Sequence, residues 1–361
     1  MPKKRVVVAL SGGVDSSMAA LTLQETGHEV IGVTMRLWAT NEATSSSKSQ
    51  FPNPARNIID AEQTCHKLDI PFHILHLERE FKEHVIQYLI REYTQGRTPN
   101  PCISCNQYIK FGFLLEHALA LDADYLATGH YVRVEHHDNA YHLLKGVDPD
   151  KDQSYMLYTL TQKKLARTLF PLGNYSKRQV RDLAREKGLP AAGKPSSQDI
   201  CFVAADYGTF LSQHVTTEPG DIVDGQGKVL GKHRGAAFYT IGQRHGLGLS
   251  TARPLYVTRI EPSTNRVVVG DESQLGSSSL IAVNLNWASG KSPSQPLSVN
   301  VKIRYRSPEA PATIHPQADS VNVVFDQPQR AIAPGQAVVF YQGNEVIGGG
   351  TIQIAQKSHQ S

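Results

Sequence analysis

The chain has 361 residues, with 37 Lys and Arg against 33 Asp and Glu, 15 His and only 4 Cys. With 40% hydrophobic and 19% charged residues, and no apolar run near the roughly 18 residues of a membrane span, it is neither a disordered polyelectrolyte nor a membrane protein. The cysteines are too few for a disulfide scaffold, and the length exceeds one hydrophobic core, so two or three domains in a reducing, cytoplasmic setting are expected.

Arg5 to Leu10 is a β-branched run ending in Ser11-Gly12-Gly13, a strand followed by a turn. Asp15-Ser16-Ser17 opens a helix carrying Met18, Ala19, Leu21 and Leu23, stopped at Gly27, and Val30 to Met35 is a second strand. The pattern continues with a helix over Ile58–Leu68, a strand Phe72–Leu77 and a helix Glu80–Tyr93. A helix Phe111–Leu121 and a strand Tyr125–Thr128 follow. Such alternation argues for an α/β unit with a parallel sheet. Ala39 to Pro54, rich in Ser, Asn and Pro, reads as a surface loop interrupting it. His136-His137 precede a hairpin turn at Asp138-Asn139. After Cys201 the alternation stops. Short Val/Ile/Tyr runs separated by Gly, Pro, Asn and Asp predict small antiparallel β-domains. The expected division is 1–205, 206–275 and 276–361.

The heptad Ser11-Gly12-Gly13-Val14-Asp15-Ser16-Ser17 lies between a strand and a helix, without the lysine of a P-loop or the spacing of a dinucleotide fingerprint. Glycines there let backbone N–H groups approach a phosphate, hydroxyls donate, and the helix dipole adds positive potential. Asp15 is a cap or a Mg²⁺ ligand. The heptad matches the pyrophosphatase loop of enzymes that adenylate a substrate, which leaves the acceptor open. Cys102 and Cys105 form a CxxC within Gly96–Asn106, a loop by composition, ahead of Tyr108-Ile109-Lys110-Phe111. Cys201 lies in Lys194-Pro195-Ser196-Ser197-Gln198-Asp199-Ile200-Cys201-Phe202, and Cys65 sits in a helix as an inert buried hydrophobe. A thiol near a helix N-terminus is expected to be reactive. A structural zinc, a [4Fe-4S] cluster on Cys102, Cys105 and Cys201, and a persulfide relay all fit the spacing. Beside an adenylating loop, sulfur transfer is favoured, because an adenylated oxygen is a leaving group for a sulfur nucleophile.

These motifs, together with Ala127-Thr128-Gly129-His130-Tyr131, Lys151-Asp152-Gln153-Ser154-Tyr155, Thr240 to Gly248, Arg304-Tyr305-Arg306 and Pro334-Gly335-Gln336, resemble the bacterial tRNA-specific 2-thiouridylase family over nearly the whole chain. The resemblance implies a Rossmann-like PP-loop ATPase domain of the adenine nucleotide alpha hydrolase type, followed by two β-rich domains. It implies that Ala9, Leu10, Ser11, Gly12, Gly13, Val14, Asp15, Ser16, Met35 and Gly129 bind ATP, with Mg²⁺. Cys201 would take a persulfide from a sulfur-carrier protein or cysteine desulfurase relay, and Cys105 would be the second reactive cysteine, the two forming a transient disulfide. Asn100, Pro101 and Cys102 match the segment at the target base, and His130, Lys151, Asp152, Gln153, Arg304, Tyr305 and Gln336 match positions that touch tRNA. Many members carry Asp where this chain has Cys102, so an acid/base role is vacant or falls to a thiolate. Three cysteines also resemble iron–sulfur-dependent tRNA thiolases, which keeps the cluster open. The implied activity is ATP-dependent 2-thiolation of uridine at the wobble position, by a cytoplasmic monomer. Other PP-loop synthetases and a non-catalytic RNA-binding module are the competing classes. Lys163, Lys164, Arg167, Lys177, Arg178, Arg181, Arg185 and Lys187, on helical faces, are candidate phosphate contacts.

Overall fold

A computed structural model describes residues 3–38, 54–194, 200–202, 207–215 and 217–356. The expected loop Ala39–Pro54, but for the backbone of Pro54, lies outside the described residues, as do Pro195–Asp199 of the Cys201 motif.

The chain begins with β1 (Arg5–Ala9), α1 (Val14–Glu25), β2 (Glu29–Arg36), α2 (Pro54–Leu68) and β3 (Phe72–His76). A first composite helix joins α3 (Glu78–Phe81), a π-wound stretch Lys82–Gln87 and α4 (Tyr88–Thr94). A second joins α5 (Pro101–Ser104), a π-wound stretch Cys105–Leu114 and α6 (Leu115–Ala120). Then come β4 (Tyr125–Ala127), β5 (Val132–His137), β6 (Ala140–Lys145), α7 (Gln162–Leu165), β7 (Thr168–Leu169), α8 (Lys177–Glu186) and α9 (Tyr207–His214).

β1 is central because Val6, Val7 and Val8 admit no solvent, and a continuous apolar strand forms only where both sheet faces are covered. Side chains alternate across the sheet. Val6 and Val8 therefore pack with Met18 and Leu21 of α1 and Val180 of α8, while Val7 packs with Phe111, Leu114 and Ala118 on the other face. The sheet is parallel throughout, in the order β3-β2-β1-β4-β7, as the alternation predicts.

The loop expected over Gly96–Asn106 is half wrong, since helix begins at Pro101. Proline at the first helical position loses nothing, because its N–H has no intrahelical partner there. The Asn100 side chain caps the end by accepting from the Cys102 N–H at 3.1 Å. The basic stretch is likewise not one helix, because β7 and a turn separate α7 from α8.

The second unit holds β8 (Gly220–Val223), β9 (Val229–His233), β10 (Tyr256–Glu261) and β11 (Arg266–Gly270) in the order β10-β11-β8-β9. Its β11–β8 pairing is parallel, which departs from the all-antiparallel expectation. The third contains β12 (Gly276–Trp287), β13 (Leu297–Lys302), β14 (Ala310–Pro316), β15 (Val321–Arg330), β16 (Ala337–Gln342) and β17 (Glu345–Gln356). β12 pairs with both β15 and β17, so these strands close into a barrel around Leu280, Val301, Ile314, Val323 and Phe340. The β5–β6 hairpin, turned by Asp138 and Asn139 at positive φ, extends the barrel sheet through the Glu345–Leu144 pair. Among the described residues no helix is long and apolar enough to cross a membrane.

Candidate active site

The order of the parallel sheet reverses between β1 and β4, and ligands of such sheets bind beyond the strand ends at that point. The glycine loop leaves β1 there. Gly12 takes φ +71° with the Asn57 carbonyl against it, so a side chain would meet both backbone strain and an obstruction. Ser16 Oγ accepts from the Ser11 N–H at 3.1 Å and donates to the Gly13 carbonyl at 3.0 Å, which folds the loop onto the first turn of α1. No side chain caps α1 at Gly13, leaving its first-turn N–H groups and dipole available to an anion. Gly129, just past β4, lies so close that a Cβ would fall 2.7 Å from the Asp15 carbonyl carbon and 2.8 Å from Ser16 N. Met35 lies two residues beyond the Ala9–Val33 pair, at the same end of the sheet. The structure thus gathers Ala9 to Ser16, Met35 and Gly129 into one region.

Three residues outside those expected to bind ATP also reach this loop, among them Lys177, which the sequence offers only as a contact for RNA phosphate. The Asp15 carboxylate accepts from Tyr131 Oη at 2.7 Å and from Lys177 Nζ at 2.5 Å. Lys194 Nζ donates to the Gly12 carbonyl at 3.0 Å and pairs with Asp60. A capping box, with Ser176 and Gln179 bonded reciprocally, fixes the start of α8 and so the origin of Lys177. No local sequence signal marks Tyr131 or Lys177 as partners of a loop more than a hundred residues away, though Lys194 does open the Cys201 motif.

All four cysteines are free thiols. Cys65 is buried under the sheet, its thiol pushed up to about 12 by burial and then by Glu62, as suits an inert packing residue. Cys102 follows the helix start, yet burial, opposed by the Lys110 charge, raises its thiol rather than lowering it. Cys105 is buried and pushed up to about 11. Cys201 is exposed as a residue, whereas dense packing around its sulfur pushes the thiol up to about 12. After burial, the largest contributors to that shift are Cys105 and Cys102, with Lys110 opposing them. The three thiols therefore lie within electrostatic reach of one another, and each rests protonated near neutral pH. Phe202 anchors the Cys201 turn against Phe81 and Phe210, with ring centroids 5.3 and 5.5 Å away. Among the described residues no three Cys, His, Asp or Glu side chains are grouped so as to hold a metal ion, so this arrangement does not fit an iron–sulfur cluster.

His130 is buried next to Gly129, with Nδ1 2.6 Å from Thr128 Oγ1 and Nε2 3.5 Å from Lys110 Nζ. Burial and the Lys110 charge hold its pKa well below the usual value, so the ring is neutral. An ammonium only donates, so the network assigns the lone pair to Nε2 and the proton to Nδ1.

Asn100 and Pro101 form the cap and first turn beneath Cys102. Gln336 Nε2 donates to the Thr98 carbonyl at 2.8 Å, and the Thr98 N–H donates to the Pro334 carbonyl at 2.8 Å. Burial opposes the ionisation of Tyr305 first, and Asp152 and Cys102 are near enough to add to it. Arg304 is spent on the Ile241 and Ala331 carbonyls at 3.2 and 2.7 Å. Asp152 is buried, accepting from Gly146 N, Ser154 N and Ser154 Oγ, and Gln153 bonds the Tyr131 backbone, while Lys151 is exposed. In the basic stretch, Lys177 pairs with Asp15, Arg185 with Asp182 and Lys187 with Glu25, while Lys164 donates to the Gln107 carbonyl. Lys163 and Arg178 remain exposed without an ion pair among the described residues. The stretch is therefore no uniform phosphate-binding face.

A family model described as "tRNA methyl transferase HUP domain" matches residues 4–205. Models described as "tRNA methyl transferase PRC-barrel domain" and "Aminomethyltransferase beta-barrel domain" match 208–271 and 277–352. The tRNA-specific 2-thiouridylase MnmA of Acetivibrio thermocellus is 48% identical over 98% of this chain and 100% of its own length. That of Carboxydothermus hydrogenoformans is 48% identical over 97% and 98%. A 4-thiouridine synthetase–RNA complex with bound ATP aligns over 56% of this chain and 45% of that one, with 18% identity and TM-score 0.37, too remote to bear on function.

Proposed function

The chain belongs to the tRNA-specific 2-thiouridylase family, and from that premise we propose that it uses ATP and a persulfide to replace O2 of a tRNA uridine, at the wobble position, with sulfur. One observation carries this reading. Gly129 backs the glycine loop while the adjacent His130 borders Lys110, which the thiols of Cys102, Cys105 and Cys201 all sense. An anion-binding loop and a thiol centre are thus joined by two consecutive residues.

In the first stage ATP lies on Ala9 to Ser16, with Met35 and Gly129 at its border. The uracil must leave the base stack before O2 is accessible. O2 attacks the α-phosphorus, the N3 proton is lost, and pyrophosphate departs, leaving AMP on O2. The N–H groups of the first turn of α1 and Lys177 and Lys194 supply positive potential for the phosphates. Asp15 is the carboxylate at hand for the Mg²⁺ that accompanies ATP, provided Lys177 releases it.

In the second stage a carrier persulfide passes its outer sulfur to Cys201, leaving as a thiol. The terminal sulfur of Cys201 attacks C2, and AMP departs with the original oxygen. Cys105, as thiolate, attacks Cys201 Sγ; the Cys105–Cys201 disulfide forms, the S–S bond to the base breaks, and N3 regains a proton as the thione appears. An external thiol reductant then restores both cysteines. Cys102, Asn100, Pro101 and Tyr305 border the target base, and Lys151, Gln153 and Gln336 face the tRNA. The thiol arrangement favours this relay over the cluster route, within a chain of three units, 1–205, 206–275 and 276–361.

Cys201→Ser, assayed with tRNA, ATP and a persulfide donor by nucleoside mass spectrometry, is expected to make no 2-thiouridine while its KM for ATP stays within twofold. Wild-type levels of the thiolated nucleoside would overturn the reading.

A further inference from the structure

Lys110 lies outside the residues assigned above, yet Cys102, Cys105, Cys201 and His130 all answer to it. It is half-buried and, unlike Lys177 and Lys194, it has no carboxylate partner among the described residues. Among the described residues its polar contact is His130 Nε2 at 3.5 Å. A half-buried ammonium with no carboxylate to pair it among the described residues is placed to meet negative charge that arises during function.

Its placement follows from how the helix is wound. Cys105 and Lys110 are five residues apart, the first and sixth residues of the π-wound stretch Cys105–Leu114. In an α-helix, five steps of about 100° leave two residues roughly 140° apart, on different faces. Bonding from i to i+5 instead widens the turn and brings the sixth residue round toward the face of the first, and such windings gather at functional sites. The winding is interrupted at Phe111, whose φ of −98° and ψ of 16° are not helical, immediately after Lys110 has been brought round. Phe111 is itself fully buried beneath His130, with ring centroids 6.0 Å apart, which fixes the turn in place.

We propose that Lys110 is the electrostatic positioning residue of the sulfur-transfer centre, its fixed charge stabilising the anionic sulfur of Cys201 and of Cys105 in turn. This rests on the persulfide reading above. Burial raises all three thiols and Lys110 is the one cation that opposes that rise at each of them. It forms no bond in the reaction. When the Cys201 persulfide or the Cys105 thiol gives its proton to solvent, Lys110 supplies the counter-charge that the packing otherwise withholds. Neutral His130, proton on Nδ1, holds the ammonium by its lone pair without competing for that charge.

The test compares Lys110→Met and Lys110→Arg with the wild-type chain. Single-turnover 2-thiouridine formation should fall about 30-fold or more in Lys110→Met, with KM for ATP within twofold, and Lys110→Arg should recover most of the rate. Alkylation of Cys105 and Cys201 by iodoacetamide at fixed pH, followed by peptide mass spectrometry, should slow about tenfold in Lys110→Met alone, a change that a packing role would not produce. Alkylation at the wild-type rate, or Lys110→Arg as inactive as Lys110→Met, overturns the inference, provided thermal melting shows both variants folded. Cys201→Ser separates the two readings. If it is inactive while Lys110→Met is active, only the inference fails; if both are active, the persulfide reading fails.

Discussion

The substitution Gly129→Ala tests the claim that the glycine loop and the end of β4 are built against each other. A Cβ at Gly129 would lie 2.7 Å from the Asp15 carbonyl carbon, 2.8 Å from Ser16 N and 2.9 Å from the Asp15 carbonyl oxygen. The first of these is about 0.7 Å short of ordinary contact, and all three atoms are backbone, so no rotamer change relieves the clash. Overpacking of this kind costs about 1–3 kcal/mol. Part appears as lost stability, about 2–4 °C in Tm per kcal/mol for a domain of this size. The rest displaces the N–H groups that receive phosphate, and about 1.4 kcal/mol lost there raises KM for ATP roughly tenfold. The assay measures pyrophosphate release with saturating tRNA across ATP concentrations, beside a melting curve. Gly225→Ala serves as control, since a Cβ there meets nothing within 4 Å. A KM for ATP within twofold of wild type, together with an unchanged Tm, would refute the reasoning.

At Gly335, where φ is +90° and a Cβ would fall 2.9 Å from Thr98 N, alanine should lower the thiolation rate severalfold while sparing KM for ATP, because the strain lands beside the cysteine helix and away from the glycine loop. Equal losses in both quantities by steady-state kinetics would contradict that localisation. Cys65 carries a pH signature. Its folded thiol is pushed up to about 12 by burial, so the stability it gives is complete below about pH 8.5, the unfolded thiol value, and drains away as pH climbs toward 12. Urea midpoints of wild type and Cys65→Ala should therefore converge between pH 8 and pH 10.5, and a constant gap would argue against the buried neutral thiol.

The valine run of β1, the strand-turn-helix at Ser11–Ser17 and the repeated alternation carry the parallel sheet in plain sight, because each is local: periodicity and turn chemistry act over a few residues. Pro101 was harder. Two prolines and an asparagine suggest a loop by composition, yet the same residues are helix-start chemistry once Asn100 caps and Pro101 occupies the first turn. The parallel β11–β8 pairing and the closure of β12 on β17 have no local signature, since strand partners are chosen by packing over distance. For the site, the loop and the three cysteines were legible as motifs. The places that Lys177, Tyr131 and Lys110 take in it were not, because Lys177 and Tyr131 arrive through tertiary contact and Lys110 through a helical winding that no residue pattern announces.

The segment leading to the cysteines is held from far along the chain. A Cβ on Gly96 would strike Ile260 and Pro262, and Thr98 bonds to Pro334 and Gln336 across a separation of 238 residues in the latter case. Contacts so distant in sequence are slow to form, because loop closure must come first. During synthesis from the N-terminus, the glycine loop is assembled early, whereas the cap before Cys102 gains its last restraints only when the barrel has been made. The order of folding therefore mirrors the order of chemistry: the half that receives ATP matures first, and the half that handles reactive sulfur is locked into place last.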